Sequence, residues 1–70
     1  MVTLTIHYLD TRDNPLSWST DPMPVNAAMD RVMRFCASGV DVITYDQDNV
    51  MVVLLIHRVT GMAITPVVAA

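Results

Sequence analysis

The chain contains no lysine and no glutamate. Its four basic residues are all arginine, its seven acidic residues are all aspartate, and together they make up only 16% of 70 residues. Soluble domains usually carry about 25% charged residues. Without lysine there is no Schiff-base nucleophile and no phosphate-loop amine. Lysine and glutamate also favour exposed helix surface, so their absence fits a chain with little of it. Phosphate-backbone binding needs clustered cations. Arg12, Arg31, Arg34 and Arg58 are scattered among more numerous aspartates, and the net charge is −3. We expect no nucleic-acid partner. A basic surface on another protein suits such a chain better.

Other residues are nearly as scarce. Cys36 is the single cysteine, which excludes an internal disulfide and a thiolate metal cluster, and it reads as a small buried side chain on a helix. The two glycines, Gly39 and Gly61, cannot build a phosphate-cradling loop or a nucleophile elbow. No serine stands in a catalytic motif, so no enzyme and no cofactor are expected. No apolar run reaches the ~20 residues of a membrane-spanning helix. The first residues show neither a basic segment nor a continuous apolar stretch of the signal-peptide kind. The expectation is a cytoplasmic protein without a membrane partner.

What the chain does have is apolar surface. Hydrophobic residues make up 53% of it, and the mean hydropathy is +0.43. Val50 to Ile56 are seven apolar side chains in succession. A strand sends alternate side chains to opposite faces. A half-buried strand should therefore alternate apolar and polar, and this one does not, so both faces want cover. Seventy residues make one small domain, with one helix to cover one face. The other face calls for a second molecule, with Met51, Val53 and Leu55 as the expected dimer interface. Burying four side chains of one face is worth roughly 6–12 kcal/mol, comparable with the ~5–15 kcal/mol stability of a whole domain. A C-terminal segment folded back over that face is the rival cover.

Along the chain, Val2–Leu9 alternates as a strand, with Val2, Leu4, Ile6 and Tyr8 on one face. Residues 10–15 read as a turn, and residues 16–20 as a short returning strand. Thr20 or Asp21 can cap a helix from about Pro24 to Ser38, with Val25, Ala28, Met29, Val32, Phe35 and Cys36 facing the core. Gly39 ends that helix. Val40–Tyr45 and Val50–Val59 read as a strand pair about a polar turn, Asp46–Asn49, with the last strand lying between the first and third. The fold class is α+β: a small, mostly antiparallel sheet of order β-(β)-α-β-β with one helix on one face. Residues 1–61 form the domain, and residues 62–70 an extended tail or edge segment held to an edge by Pro66.

Candidate sites are few. His7 and His57, on strands expected side by side, could supply two metal ligands, but a zinc site needs three or four. No third stands out, and no metal is expected. Asp46, Asp48 and Asn49 lack the closing glutamate of a calcium loop. Six methionines provide adaptable contact surface, with Met23, Met33 and Met62 the best placed for it. Asp10, Asp13, Asp21, Asp46 and Asp48 are expected to form acidic loop patches toward a protein target. Trp18 is either their apolar anchor or a lid on the core. The functional expectation is a small acidic, non-enzymatic homodimer that binds and modulates, or inhibits, a larger protein. Phage and mobile-element regulators have this size and charge. The alternatives are a small-ligand or metal-binding protein with its site at the dimer seam, and a structural subunit of a larger assembly.

Overall fold

A computed structural model describes residues 1–45 and 50–68. Strand β1 (Val2–Leu9), strand β2 (Pro15–Ser19), helix α1 (Val25–Ser38), strands β3 (Val40–Tyr45) and β4 (Val50–Leu55), a 3-10 turn (Ile56–Arg58) and strand β5 (Val59–Pro66) follow in order. The strands form two antiparallel sheets, β2-β1-β5 and the hairpin β3-β4. This is the expected α+β class, with the short β2 running back along β1.

The first sheet obeys its alternation. Val2, Leu4, Ile6 and Tyr8 are buried on its inner face. The outer face is polar: Thr5 and Ser19 share a hydroxyl hydrogen bond of 2.9 Å, and His7 Nδ1 meets Ser17 Oγ at 2.7 Å. Such a face is at ease in water. The core gathers Leu4, Ile6 and Tyr8 with Phe35 of the helix and Ile43 and Leu54 of the hairpin.

Four expectations need correction. The apolar run does not continue as one strand to Val59. It ends at Leu55, and the 3-10 turn redirects the chain into β5, which pairs with β1. The backbone N–H of Ile56 donates to Gly39 O, and the Arg58 guanidinium donates to Asp10 O and Asp13 Oδ1. These bonds hold the corner where the chain leaves one sheet for the other. β4 accordingly pairs with β3 alone, and β1 occupies the centre of the larger sheet.

The helix buries only part of the expected stripe. Ala28 and Phe35 are buried and Val32 packs beside them, while Val25, Met29, Met33 and Cys36 are exposed. At 3.6 residues per turn, the exposed apolar arc lies about a quarter turn from the buried one. The helix is apolar over a wider arc than its neighbours cover, so the expectation of burial fails for Val25, Met29 and Cys36 and holds for Ala28, Val32 and Phe35.

The helix entrance also differs. Pro24 occupies the cap position without a side-chain cap. Thr20 Oγ1 instead accepts the backbone N–H of Leu4 at 3.0 Å, which ties the end of β2 to β1. Gly39 ends the helix as expected, at φ 75°, with its N–H donating to Phe35 O at 2.7 Å. Finally, His7 and His57 are not side by side. His7 stands opposite Gly61 on the polar outer face, and His57 lies in the 3-10 turn.

Candidate functional site: the open face and edge of the hairpin

The hairpin's two faces have different fates. In its register Val40 faces Leu55, Val42 faces Val53 and Thr44 faces Met51; Asp41, Ile43, Val52 and Leu54 point the other way. The inward set reaches the core, with Ile43 and Leu54 only 1% and 3% exposed. The outward set stays open. Val40, Val42, Met51, Val53 and Leu55 are 46%, 41%, 70%, 61% and 41% exposed. Five neighbouring apolar side chains and one threonine make a face with no charge on it. Nothing in the sequence relieves this, because the run Val50–Leu55 has no polar residue to offer. The C-terminal segment does not relieve it either, since Val59–Pro66 is spent on β1.

Molecular dimensions agree with an incomplete surface. The accessible area is 4945 Å². A folded monomer of 7.7 kDa should expose about 4300 Å², leaving an excess of about 600 Å². The Cα radius of gyration is 12.2 Å, against about 11 Å for a compact chain of this length.

A groove of about 760 Å³ runs along β4, between it and the end of the β1-β2 hairpin. Leu9 and Leu16 line one side, Val53 and Leu55 the other, and His57 and Arg58 close one end. Arg58 is already engaged: its Nη2 donates to Asp13 Oδ1 at 2.8 Å and to Asp10 O. The groove is mostly apolar, with Asp10, Thr11 and Ser17 also on its lining, and the charge of Arg58 at its end is paired.

The acidic residues are mostly committed locally. Asp10 Oδ1 accepts the backbone N–H groups of Arg12 and Asn14, each at 2.8 Å. Those bonds, that of Asn14 foremost, hold its carboxyl below its ordinary value of 3.8. Asp13 sits at φ 61°, which aspartate tolerates in a turn, and pairs with Arg58. Asp21 is exposed at the opposite end of the first sheet. The structure therefore brings Asp10 and Asp13 together and leaves Asp21 apart. Asp46 and Asp48 lie outside the described residues.

Trp18 lies in the expected returning strand. It sits in β2 opposite Ile6, packed against the core. Its Nε1–H donates to Thr44 O at 3.2 Å, and the Arg31 guanidinium lies 5.1 Å from its ring centroid. Arg31 also pairs with Asp41 at 3.0 Å and donates to Val42 O at 3.2 Å. These two side chains clamp the hairpin to the rest of the molecule. Sequence reasoning gave Arg31 no packing role; its position four residues before Phe35, on the buried side, was the available signal.

Among the described residues no group of three or more His, Cys, Asp or Glu side chains is placed to hold a metal ion. No helix among them is long and apolar enough to cross a membrane. Compared with protein-family models, curated proteins and solved structures, the chain matches none.

Proposed function

We propose that this chain is a non-catalytic protein-interaction module that works as a homodimer and binds a larger protein. One observation carries the reading: the outward face of the hairpin presents Val40, Val42, Met51, Val53 and Leu55 with no charge among them. Apolar patches of this kind mark association sites, and left uncovered they are aggregation liabilities. The other sheet supplies the contrast. Its outer face carries Thr5, His7, Ser17 and Ser19, which need no partner. Charge was available to this chain and was not used on the outward face of the hairpin.

The test is site-specific photocross-linking in the cells that make the protein. A photoreactive residue at Val42 should join the chain to a second, larger protein, and the same residue at Thr5 should not. If Val42 yields no adduct with another protein, or both positions yield the same adducts, the reading fails.

A further inference from the structure

The four strand edges of the two sheets are not equally protected. β2 is short and begins with Pro15, and β5 ends with Pro66. Shortness and a proline blunt the β2 edge, while β5 carries its proline only at the last residue. The outer edge of β3 is occupied by side chains: Val40 O accepts from Ser38 Oγ at 3.0 Å, Val42 O from Arg31 Nη2 at 3.2 Å, and Thr44 O from Trp18 Nε1 at 3.2 Å. These bonds also fix the phase of the ladder. In an antiparallel pair, residues that exchange hydrogen bonds with the partner alternate with residues whose backbone groups point away. Val40, Val42 and Thr44 point away, so Asp41 and Ile43 bond to β4 through Leu54 and Val52. It follows that Met51 and Val53 turn their N–H and C=O groups to the opposite edge of β4. Among the described residues nothing bonds to those four groups. The edge has no proline, no charge and no bulge from Val50 to Leu55.

Resting on the homodimer reading above, we infer that two copies join through this edge. Their β4 strands pair antiparallel about a two-fold axis at Val53 and make one four-stranded sheet of order β3-β4-β4-β3. The occupant is a second copy for three reasons. An uncharged, proline-free edge gives a charged or polar strand nothing to read, and the same chain supplies a matching apolar strand of the same length. Residues presenting free backbone groups must face residues of the same phase. The register centred on Val53 satisfies this, setting Val53 opposite its counterpart and Met51 opposite the counterpart of Leu55. Lastly, a two-fold contact covers the same open edge on both copies at once. The groove beside β4 is the space the incoming strand enters. The outward apolar face is then continuous across both copies and remains available to the larger protein.

The test is disulfide trapping of the full chain in a Cys36→Ser background. Directly opposed residues in a hydrogen-bonded antiparallel pair have Cα atoms about 5.5 Å apart, within the span of a disulfide. Sheets stacked face to face stand about 10 Å apart, beyond that span. Val53→Cys should give a covalent dimer on mild oxidation, and Val42→Cys, two strands from the axis, should not. Because Val53 is 61% exposed in the single chain, the substitution leaves the core intact, and circular dichroism checks the fold. Amide exchange supplies a second readout: the Met51 and Val53 N–H groups should become protected as protein concentration rises. A dimer by light scattering that neither traps at Val53 nor protects those amides overturns edge pairing but leaves the homodimer reading standing. A monomer at every concentration overturns both.

Discussion

Arg31→Met isolates what holds the hairpin to the rest of the fold. No strand of one sheet pairs with a strand of the other, so the hairpin depends on its buried side chains and on the bonds that Arg31 and Trp18 make to its edge. Methionine keeps the apolar stem and removes three contacts together. The ion pair to Asp41 is lost, with the two side chains only 27% and 20% exposed. The bond to Val42 O and the stacking on Trp18 go with it. A hydrogen bond to a charged group contributes about 1.5–3 kcal/mol, and a cation over an aromatic ring about 0.5–1 kcal/mol. Allowing for solvent at a partly exposed pair, the expected loss is about 2–3 kcal/mol. A domain of this size shifts its Tm by about 4–8 °C per kcal/mol, so melting should fall by roughly 8–24 °C. Urea unfolding at one fixed protein concentration is the assay, because association would otherwise add to apparent stability. Arg31→Lys should lie in between, since an ammonium keeps the charge but not the planar fork. A change for Arg31→Met within about 0.5 kcal/mol, the range of ordinary surface substitutions, would refute the reasoning.

Neighbouring residues of β4 should behave oppositely. Leu54→Ala removes a side chain 3% exposed and should cost about 2–5 kcal/mol, whereas Val53→Ala, measured in dilute solution, should stay within about 0.5 kcal/mol; equal losses by urea unfolding would contradict the assignment of faces. Gly39→Ala should cost about 1–2 kcal/mol, because φ is 75° and the left-handed region penalises a Cβ. The new methyl would meet Ile56 Cγ2 at an ordinary 3.5 Å, so unchanged thermal stability would point to a backbone that had shifted. The depressed pKa of Asp10 has a fixed sign: its contribution is present above the ordinary value of 3.8 and is lost as pH falls through the lower folded value. Asp10→Asn should therefore flatten the acid limb of the stability curve below about pH 4, and an unchanged limb would rule Asp10 out as a source of acid sensitivity.

Much of the fold was legible because local signals agreed with one another. Val2–Leu9 alternates, and Gly39 stops the helix at the only backbone geometry that favours glycine there. The proline and aspartate around residues 10–15 turn the chain into β2. What misled was a signal without periodicity. An unbroken apolar run does not say where a strand stops, so the corner at Ile56–Arg58 was invisible until Arg58 was seen reaching Asp10 and Asp13. The helix is where the pattern puts it, but part of its expected buried stripe is exposed for a related reason. Val25, Met29 and Cys36 fit one stripe, Ala28, Val32 and Phe35 another, and only the positions of the two sheets decide which is covered. Arg31 looked like a solvent residue because charge outweighs position in a sequence pattern, yet its Asp41 and Trp18 partners make it part of the packing. That Met51, Val53 and Leu55 share one face of a strand follows from alternation alone. The free edge of β4 does not, because it depends on which strand occupies its other side.

The most direct measurement is the solution mass of the full chain as a function of concentration, by sedimentation equilibrium. A reversible dimer that Val53→Asp returns to monomer, through like charges brought together at the two-fold axis, is the predicted result. A folded monomer that stays soluble at high concentration, with Val53→Asp indistinguishable from it, would contradict the account.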